Sequence, residues 1–296
     1  MGSKYFPWSK LQSGMEMDVG RTFEYTPDAL AQLAKWLPPL SPSSNVLEVG
    51  AGSGYFTQHL LSFYPDCKMT ALEPDPSLAS MLRAKYPSME VVECTLEDPS
   101  IPQDYYDLVV SHIVIHNLPD CETGVRSMVG AAKFGGFVVT IEPVSGGHTH
   151  YTDRDIERAF DTLWQYKVLV HKKRDEMIGE SDKPNPFRNC YAEFFDRNGL
   201  KDIHTYGITS VFTLSDSQFP FDLRKRWIRA RKELYSEERD MVTKVLLEGG
   251  MSQKVIDQAY MSLFEYFDRL EHTDEAELSH IHEQEVGHRT VTVGRK

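Results

Sequence analysis

Val46-Leu-Glu-Val-Gly-Ala-Gly-Ser-Gly54 begins as a short apolar run and breaks into three glycines, Gly50, Gly52 and Gly54. An apolar run of this length stopped by glycine reads as a buried strand. Thr57 to Tyr64 reads as a helix, and a second apolar run ends at Ala71-Leu72-Glu73, nineteen residues after Gly54. A strand, a glycine turn, a helix and a strand tipped by a carboxylate describe a nucleoside-binding crevice at the carboxyl edge of a parallel sheet. Glycines let a ligand approach the backbone, because no Cβ stands in the way. A carboxylate at Glu73 can accept hydrogen bonds from both ribose hydroxyls.

The spacing is Gly-x-Gly-x-Gly, and Tyr55 follows it. A dinucleotide fingerprint wants Gly or Ala at that last position, for close helix–strand packing. Glu48, on the strand two residues before the first glycine, suits a cationic ammonium and repels a pyrophosphate. S-adenosylmethionine (SAM) offers an amine, a sulfonium and a ribose, and is the expected cofactor. Tyr55 and Glu48 argue against a nucleotide-dependent oxidoreductase.

From about Asn45 to Pro143 the chain resembles the class I SAM-dependent methyltransferases, particularly the small-molecule group related to ubiquinone and menaquinone C-methyltransferases. Val46 to Gly54 looks like the methionine-binding loop, and Ala71-Leu-Glu-Pro-Asp75 like the ribose-binding tip. Val91 to Asp98 resembles the adenine-contacting turn. Asp107 to Asp120 resembles the fourth strand with its catalytic-face loop, and Lys133 to Ile141 the glycine turn into strand five.

The resemblance implies an α/β fold: a seven-stranded, mostly parallel Rossmann-like sheet with helices on both faces and the last strand inserted antiparallel. It also implies a cofactor set of Glu48, Gly50, Ala51, Gly52, Gly54, Glu73, Pro74, Thr95, Leu96, Glu97, Ser111, His112 and Ile113. Thr95 stands where the family often has an acid.

The chain has 296 residues and a net charge of −12. An acidic surface disfavours nucleic acid, whose phosphates need Lys and Arg. No apolar stretch is long enough to span a bilayer, and residues 1–13 do not read as a signal peptide. Cys67, Cys94, Cys121 and Cys190 are scattered, without a Cys-x-x-Cys, so a reducing, cytoplasmic setting is expected. The expected partner is a small-molecule substrate, with neither nucleic acid nor membrane, for a monomer or homodimer.

Strands are expected at about 45–50, 68–73, 89–94, 106–112 and 136–142, with helices at about 54–63, 76–85 and 120–133. Alternating strand and helix means a parallel sheet wrapped on both faces. Thr26-Pro-Asp28 is a helix start, after which Leu30, Leu33, Ala34 and Leu37 share a face. Thr152-Asp-Arg-Asp155 reads as a second cap, followed by the stripe Ile156, Ala159, Phe160 and Leu163. Phe187 to Asn198 reads as a helix stopped by Gly199, Lys201 to Leu214 as strand-rich, and Phe219 to Leu270 as helical, interrupted at Gly249-Gly250.

With the family's topology this divides the chain into an N-terminal helical lid (1–44) and a SAM-binding core (45–143). An insertion or substrate cap (144–185), a core helix and strand six (186–216), a helical cap (217–286) and a terminal strand seven (287–296) follow.

Methyl transfer from a sulfonium needs alignment of the acceptor, exclusion of water and, for some acceptors, a base. Alignment supplies about 7–11 kcal/mol, and a base about 10²- to 10⁴-fold. His116, just beyond strand four, is the first candidate base, since imidazole titrates near neutrality; it can equally cap its loop. His112, Glu142 and Tyr151 are further catalytic candidates, and His148 and His150 polar pocket candidates. His280-Ile-His282-Glu283 invites a metal, but reads more simply as solvated surface, and none is expected.

Arg226 and Arg229, in a basic run from Arg224 to Lys232, either clamp a carboxylate or form a solvated face balanced by acids. Trp164, Tyr166, Tyr191, Phe194, Phe195 and Trp227 either line an aromatic pocket or belong to the core. Two other readings keep SAM: cleavage or cyclisation of its aminocarboxypropyl arm, and a non-catalytic SAM-binding subunit.

Overall fold

The computed structural model describes residues 21–118, 120–144, 148–177 and 190–296. The chain forms two compact units. The first takes in Met1–Gly146, Asn185–Ser210 and Gly287–Lys296, the second Gly147–Pro184 and Val211–Val286.

The first unit grows from the apolar runs. In β1 (Asn45–Val49) every residue after Asn45 is buried. It lies parallel to β2 (Lys68–Leu72) on one side and β4 (Tyr106–His112) on the other. β3 (Glu90–Val92) extends the sheet beyond β2, and β5 (Ala132–Pro143) beyond β4. The two directions of growth separate between β1 and β4, and that switch point opens a crevice at the carboxyl ends of both strands.

β8 (Gln284–Arg295) runs antiparallel to β5, with Thr140 opposite Thr292, and β7 (Lys201–Thr213) pairs with β8. This is the expected mostly parallel, Rossmann-like sheet with an antiparallel last strand. β8 starts at Gln284, earlier than its apolar core at Thr290–Val293 suggests, because its first residues pair with a short strand, β6 (His148–His150).

Alternation sends β1 side chains to opposite faces. Val46 joins a core with Leu33, Leu37, Phe56 and Leu60. Leu47 and Val49 join another with Val125, Met128, Tyr191 and Phe195. α1 (Pro27–Trp36) starts where expected, with Thr26 Oγ1 accepting from the Ala29 amide. Its buried face is Ala29, Leu33 and Leu37; Ala34, expected there, is exposed, since the stripe runs at a spacing of four.

α2 (Tyr55–Phe63) follows the glycine loop within the expected 54–63, and α3 (Pro76–Lys85) is capped by Asp75. α4 (Cys121–Ala131) is capped by Asp120. α6 (Tyr191–Arg197) is followed by Gly199 at φ +82°, the expected stop; positions 187–189 of that expected helix lie outside the described residues.

The second unit is helical apart from short strand segments. α5 (Arg154–Met177) buries Ile156, Ala159, Phe160 and Leu163, the predicted stripe, and its cap is Asp153, whose Oδ1 accepts from the Asp155 and Ile156 amides. The long helical stretch is split into α7 (Phe221–Glu237), α8 (Arg239–Glu248) and α9 (Gln253–His272), with α10 (Glu275–Leu278) after it. A break at Glu238 joins the expected one at Gly249-Gly250.

The basic run is not uniformly solvated. Arg224 is buried, donating to the Leu214 carbonyl and to Glu275 Oε1, both at 3.0 Å. Lys225 caps the end of α9 through the Leu270 and Glu271 carbonyls at 2.7 and 2.8 Å. Arg226 is exposed, and Arg229 pairs with Glu271 at 3.4 Å.

Candidate active site

The crevice of the first unit is built on three consecutive left-handed glycines: Gly50, Gly52 and Gly54, at φ +66°, +58° and +80°. L-residues avoid this region, so the alternate-glycine spacing is a backbone requirement. The loop is tied to the sheet by the Ala51 amide, which donates to the Leu72 carbonyl at 3.0 Å.

Glu73 continues from β2 directly beside this loop. Its Oε2 accepts from the Gly52 amide at 2.7 Å and its Oε1 from the Asp75 amide at 2.9 Å. Burial raises its pKa, against the lowering effect of those two amides. Pro74 sits between Glu73 and the capping residue Asp75, so the turn into α3 and the carboxylate are fixed together.

Glu48 is 1% exposed, and the Thr57 hydroxyl donates to its Oε2 at 2.6 Å. Burial pushes its pKa to about 8, with Thr57 opposing. On the same face of the sheet, His112 stacks on Phe56 with ring centroids 4.5 Å apart, and its Nε2 lies 2.7 Å from the Tyr25 hydroxyl. Burial, followed by the positive charge of Arg21 and Arg289, holds His112 well below the usual imidazole range, so this ring is neutral at physiological pH.

The other face carries Ser111, fully buried, whose Oγ has no hydrogen-bond partner among the described residues. Beyond β4 the chain turns through Ile113 at φ +58°, a strained conformation for a β-branched residue, held by its amide donating to the Ile141 carbonyl at 2.8 Å. The turn then carries His116. Glu142, at the end of β5 and fully buried, receives this turn: Oε1 accepts from the Val114 and Ile115 amides at 3.1 and 2.9 Å. Its Oε2 accepts from the His116 amide at 3.4 Å and lies 2.7 Å from His116 Nδ1. With Nδ1 donating to the carboxylate, Nε2 is the basic atom of His116.

Among the adenine-side candidates, Leu96 is buried in the core, Thr95 is half-buried and Glu97 is exposed. The Asp98 amide donates to the Thr95 carbonyl, which makes these residues a tight turn.

Glu48, the glycine loop, Glu73, Ser111, His112, Ile113, His116 and Glu142 thus belong to one unit. Tyr151 and His150 belong to the other. There Tyr151 is buried against Phe160 and Tyr266, while His150 Nδ1 lies 3.2 Å from Glu157. His148 carries no described side chain. His280 and His282 are exposed and follow α10 rather than lying on it; His282 Nδ1 lies 2.8 Å from the Ser215 hydroxyl. Tyr191 and Phe195 are core residues of the first unit, and Trp227 of the second.

Sequence reasoning missed Tyr25 and Arg21, which precede the helix signal at Thr26 and carry no motif. It also missed Thr57, whose one-turn offset from the loop is a usable signal.

The residues present fit SAM. A Cβ position on Gly52 has no neighbour nearer than 3.8 Å, so the loop is open there, and two buried carboxylates, Glu48 and Glu73, lie respectively on the strand that leads into the loop and beside it.

Residues 47–140 match the family model described as "Methyltransferase domain". The chain is 28% identical over 160 residues to the chloroplast 2-methyl-6-phytyl-1,4-hydroquinone methyltransferase of Spinacia oleracea, a match covering 53% of this chain and 40% of that protein. It is 27% identical over 212 residues to the malonyl-[acyl-carrier protein] O-methyltransferase of Bacillus cytotoxicus, covering 67% and 72%. The chain spans only about two fifths of the length of the hydroquinone methyltransferases it matches. Among solved structures, the YcgJ protein of Bacillus subtilis aligns at a TM-score of 0.51 and 13% identity, covering 92% of this chain and 99% of its own. A chain from an antibiotic biosynthesis pathway of Anabaena variabilis aligns at 0.52 and 17%, covering 92% and 98%. These likenesses establish the fold.

Proposed function

On a core that belongs to the class I SAM-dependent methyltransferases, we propose that this chain transfers the SAM methyl group to a small-molecule acceptor. The observation that carries the reading is Glu73, a buried carboxylate at the tip of β2 locked to the Gly52 amide. It supports ribose recognition at the place where the glycine loop admits the methionyl arm. Glu48 reads the ammonium, and Ser111, His112 and Ile113 border the methionyl side. Thr95, Leu96 and Glu97 border adenine.

SAM supplies an activated methyl on a sulfonium. The protein's own contribution is then alignment, exclusion of water and removal of a proton. His116 takes that proton on Nε2, and Glu142 acts through it, fixing the tautomer and stabilising the imidazolium that forms. Glu142 is therefore a positioning residue, because its oxygens face the turn. His112 is neutral and held by Tyr25; we give it the role of shaping the crevice wall.

The net charge of −12 supports a small acceptor over nucleic acid. The two enzyme relatives are named for a hydroquinone and for malonyl-[acyl-carrier protein], and a hydroxyl acceptor, which must lose a proton, suits a histidine base. Among the described residues none of the four cysteines is in a disulfide, which supports a reducing compartment, and no helix is long and apolar enough to cross a membrane.

The test is incubation of purified protein with SAM and a metabolite extract, with mass spectrometry of the nucleoside product. S-adenosylhomocysteine establishes methyl transfer. Methylthioadenosine overturns it.

A further inference from the structure

We propose that β7 pairs edge to edge with β7 of a second copy of this chain, antiparallel and centred on Gly207, to make a two-fold dimer with one sheet running through both copies.

The sheet has two outer edges, and the chain treats them differently. β3 is three residues long, and Glu90 and Glu93 put charge on it and beside it. Arg83 covers it, donating to the Val91 carbonyl and to Glu93, both at 3.3 Å. Short, charged or covered strands are how a sheet avoids adding another chain. β7 is thirteen residues long and, among the described residues, pairs with β8 alone. It contains no proline, and from Ile203 to Thr213 no Lys, Arg, Asp or Glu. Among the described residues, no turn, loop or helix backbone hydrogen-bonds the backbone of 201–211. Charge favours this edge for a second copy: two chains of net charge −12 repel, and here they meet along an uncharged stretch.

Gly207 sets the register. Its backbone is not left-handed, and a Cβ there would meet nothing within 4 Å, so neither conformation nor packing among the described residues calls for glycine. A glycine inside a strand weakens it, and it marks places where another backbone comes close. Around it the sequence mirrors itself in kind: Thr205-Tyr206-Gly207-Ile208-Thr209. Antiparallel pairing about a two-fold axis at Gly207 sets Thr205 opposite Thr209 of the second copy, and Tyr206 opposite its Ile208. Thr–Thr and aromatic–β-branched pairs are favourable across strands. Each pair occurs twice, as an isologous interface requires. Thr205, Gly207 and Thr209 are exposed on one face of the strand. On the other, Ile208 is buried and Tyr206 is half-buried, stacked on Trp36 of α1 with ring centroids 4.8 Å apart.

The experiment is light scattering on the full chain over a wide range of concentration, with circular dichroism to check the fold. It compares wild type, Thr205→Lys with Thr209→Lys, and Thr205→Lys with Thr209→Glu. Wild type is expected to be a dimer. The two-lysine variant sets lysine opposite lysine and is expected to raise the dimer dissociation constant by about 10-fold or more. The lysine–glutamate variant sets opposite charges face to face and is expected to restore the dimer. A wild type that is monomeric throughout overturns the proposal. So does a dimer indifferent to the two lysines, which places the interface elsewhere. Equal weakening by both variants overturns the register about Gly207.

Discussion

His116 Nδ1 lies 2.7 Å from Glu142 Oε2, and the same carboxylate accepts the backbone amides of Val114, Ile115 and His116. One buried side chain therefore sets both the path of the turn and the tautomer of the ring it carries. Neither effect requires Glu142 to touch an acceptor.

His116→Ala is expected to lower kcat by about 10²-fold or more, with the S-adenosylhomocysteine dissociation constant unchanged. Single-turnover kinetics alongside calorimetry separate the two quantities. An unchanged rate removes His116 from the chemistry.

Glu142→Gln keeps an oxygen for the amides and loses the charge opposite the imidazolium. The expected outcome is a lowered kcat and an altered kcat-against-pH profile, with the fold retained by circular dichroism. A variant that lowers kcat but leaves the profile's shape untouched shows that Glu142 only supports the turn.

Glu73→Ala leaves the Gly52 and Asp75 amides without their acceptor and, in the proposed binding mode, the ribose hydroxyls without theirs. SAM affinity is expected to fall by about 1–3 kcal/mol. Gly52→Arg fills the loop at a left-handed position and is expected to abolish binding. Wild-type affinity in that variant refutes the placement.

Glu48 has a pKa raised to about 8, so it is protonated at pH 7 before an ammonium arrives. Cofactor binding there is expected to release about one proton, read as a dependence of the binding enthalpy on buffer ionisation heat and lost in Glu48→Gln. The same shift sets a stability slope. The folded state holds this proton more tightly than the unfolded chain, so Glu48's contribution is complete below about pH 4.5 and is lost as pH rises through 8. His112 acts oppositely: its depressed pKa gives stability that is present above about 6.5 and lost as pH falls below it. Thermal unfolding across pH should show the alkaline loss shrink in Glu48→Gln.

Tyr25→Phe leaves His112 Nε2 buried without its hydroxyl partner. A destabilisation of about 1–3 kcal/mol is expected in urea unfolding. No change shows that the pair contributes nothing to the fold.

The sheet was legible because its strands are short apolar runs ended by glycine, proline or acid, and these signals are local. The glycine loop and Glu73 were legible for the same reason, their spacing being dictated by backbone conformation. The relation of Glu142 to His116 spans twenty-six positions and depends on β5 pairing with β4, which no local pattern encodes. The burial of Arg224 and Lys225 within the basic run was not legible, because a sequence does not show that carbonyls at the end of α9 take a cation. The break at Glu238 left no glycine or proline to announce it.

Gly50 and Val114 form one steric unit. The point where a Cβ on Gly50 would stand is 2.6 Å from Val114 Cγ2, so the valine occupies the space that the glycine leaves. A mutational scan that changes one position at a time will score Gly50 as intolerant and will not reveal Val114 as the cause. Shrinking the valine first lifts the clash and leaves only the left-handed backbone penalty, about 1–2 kcal/mol for an ordinary residue. The two positions are epistatic, and substitutions open to the cofactor loop depend on what the histidine-bearing turn has already accepted.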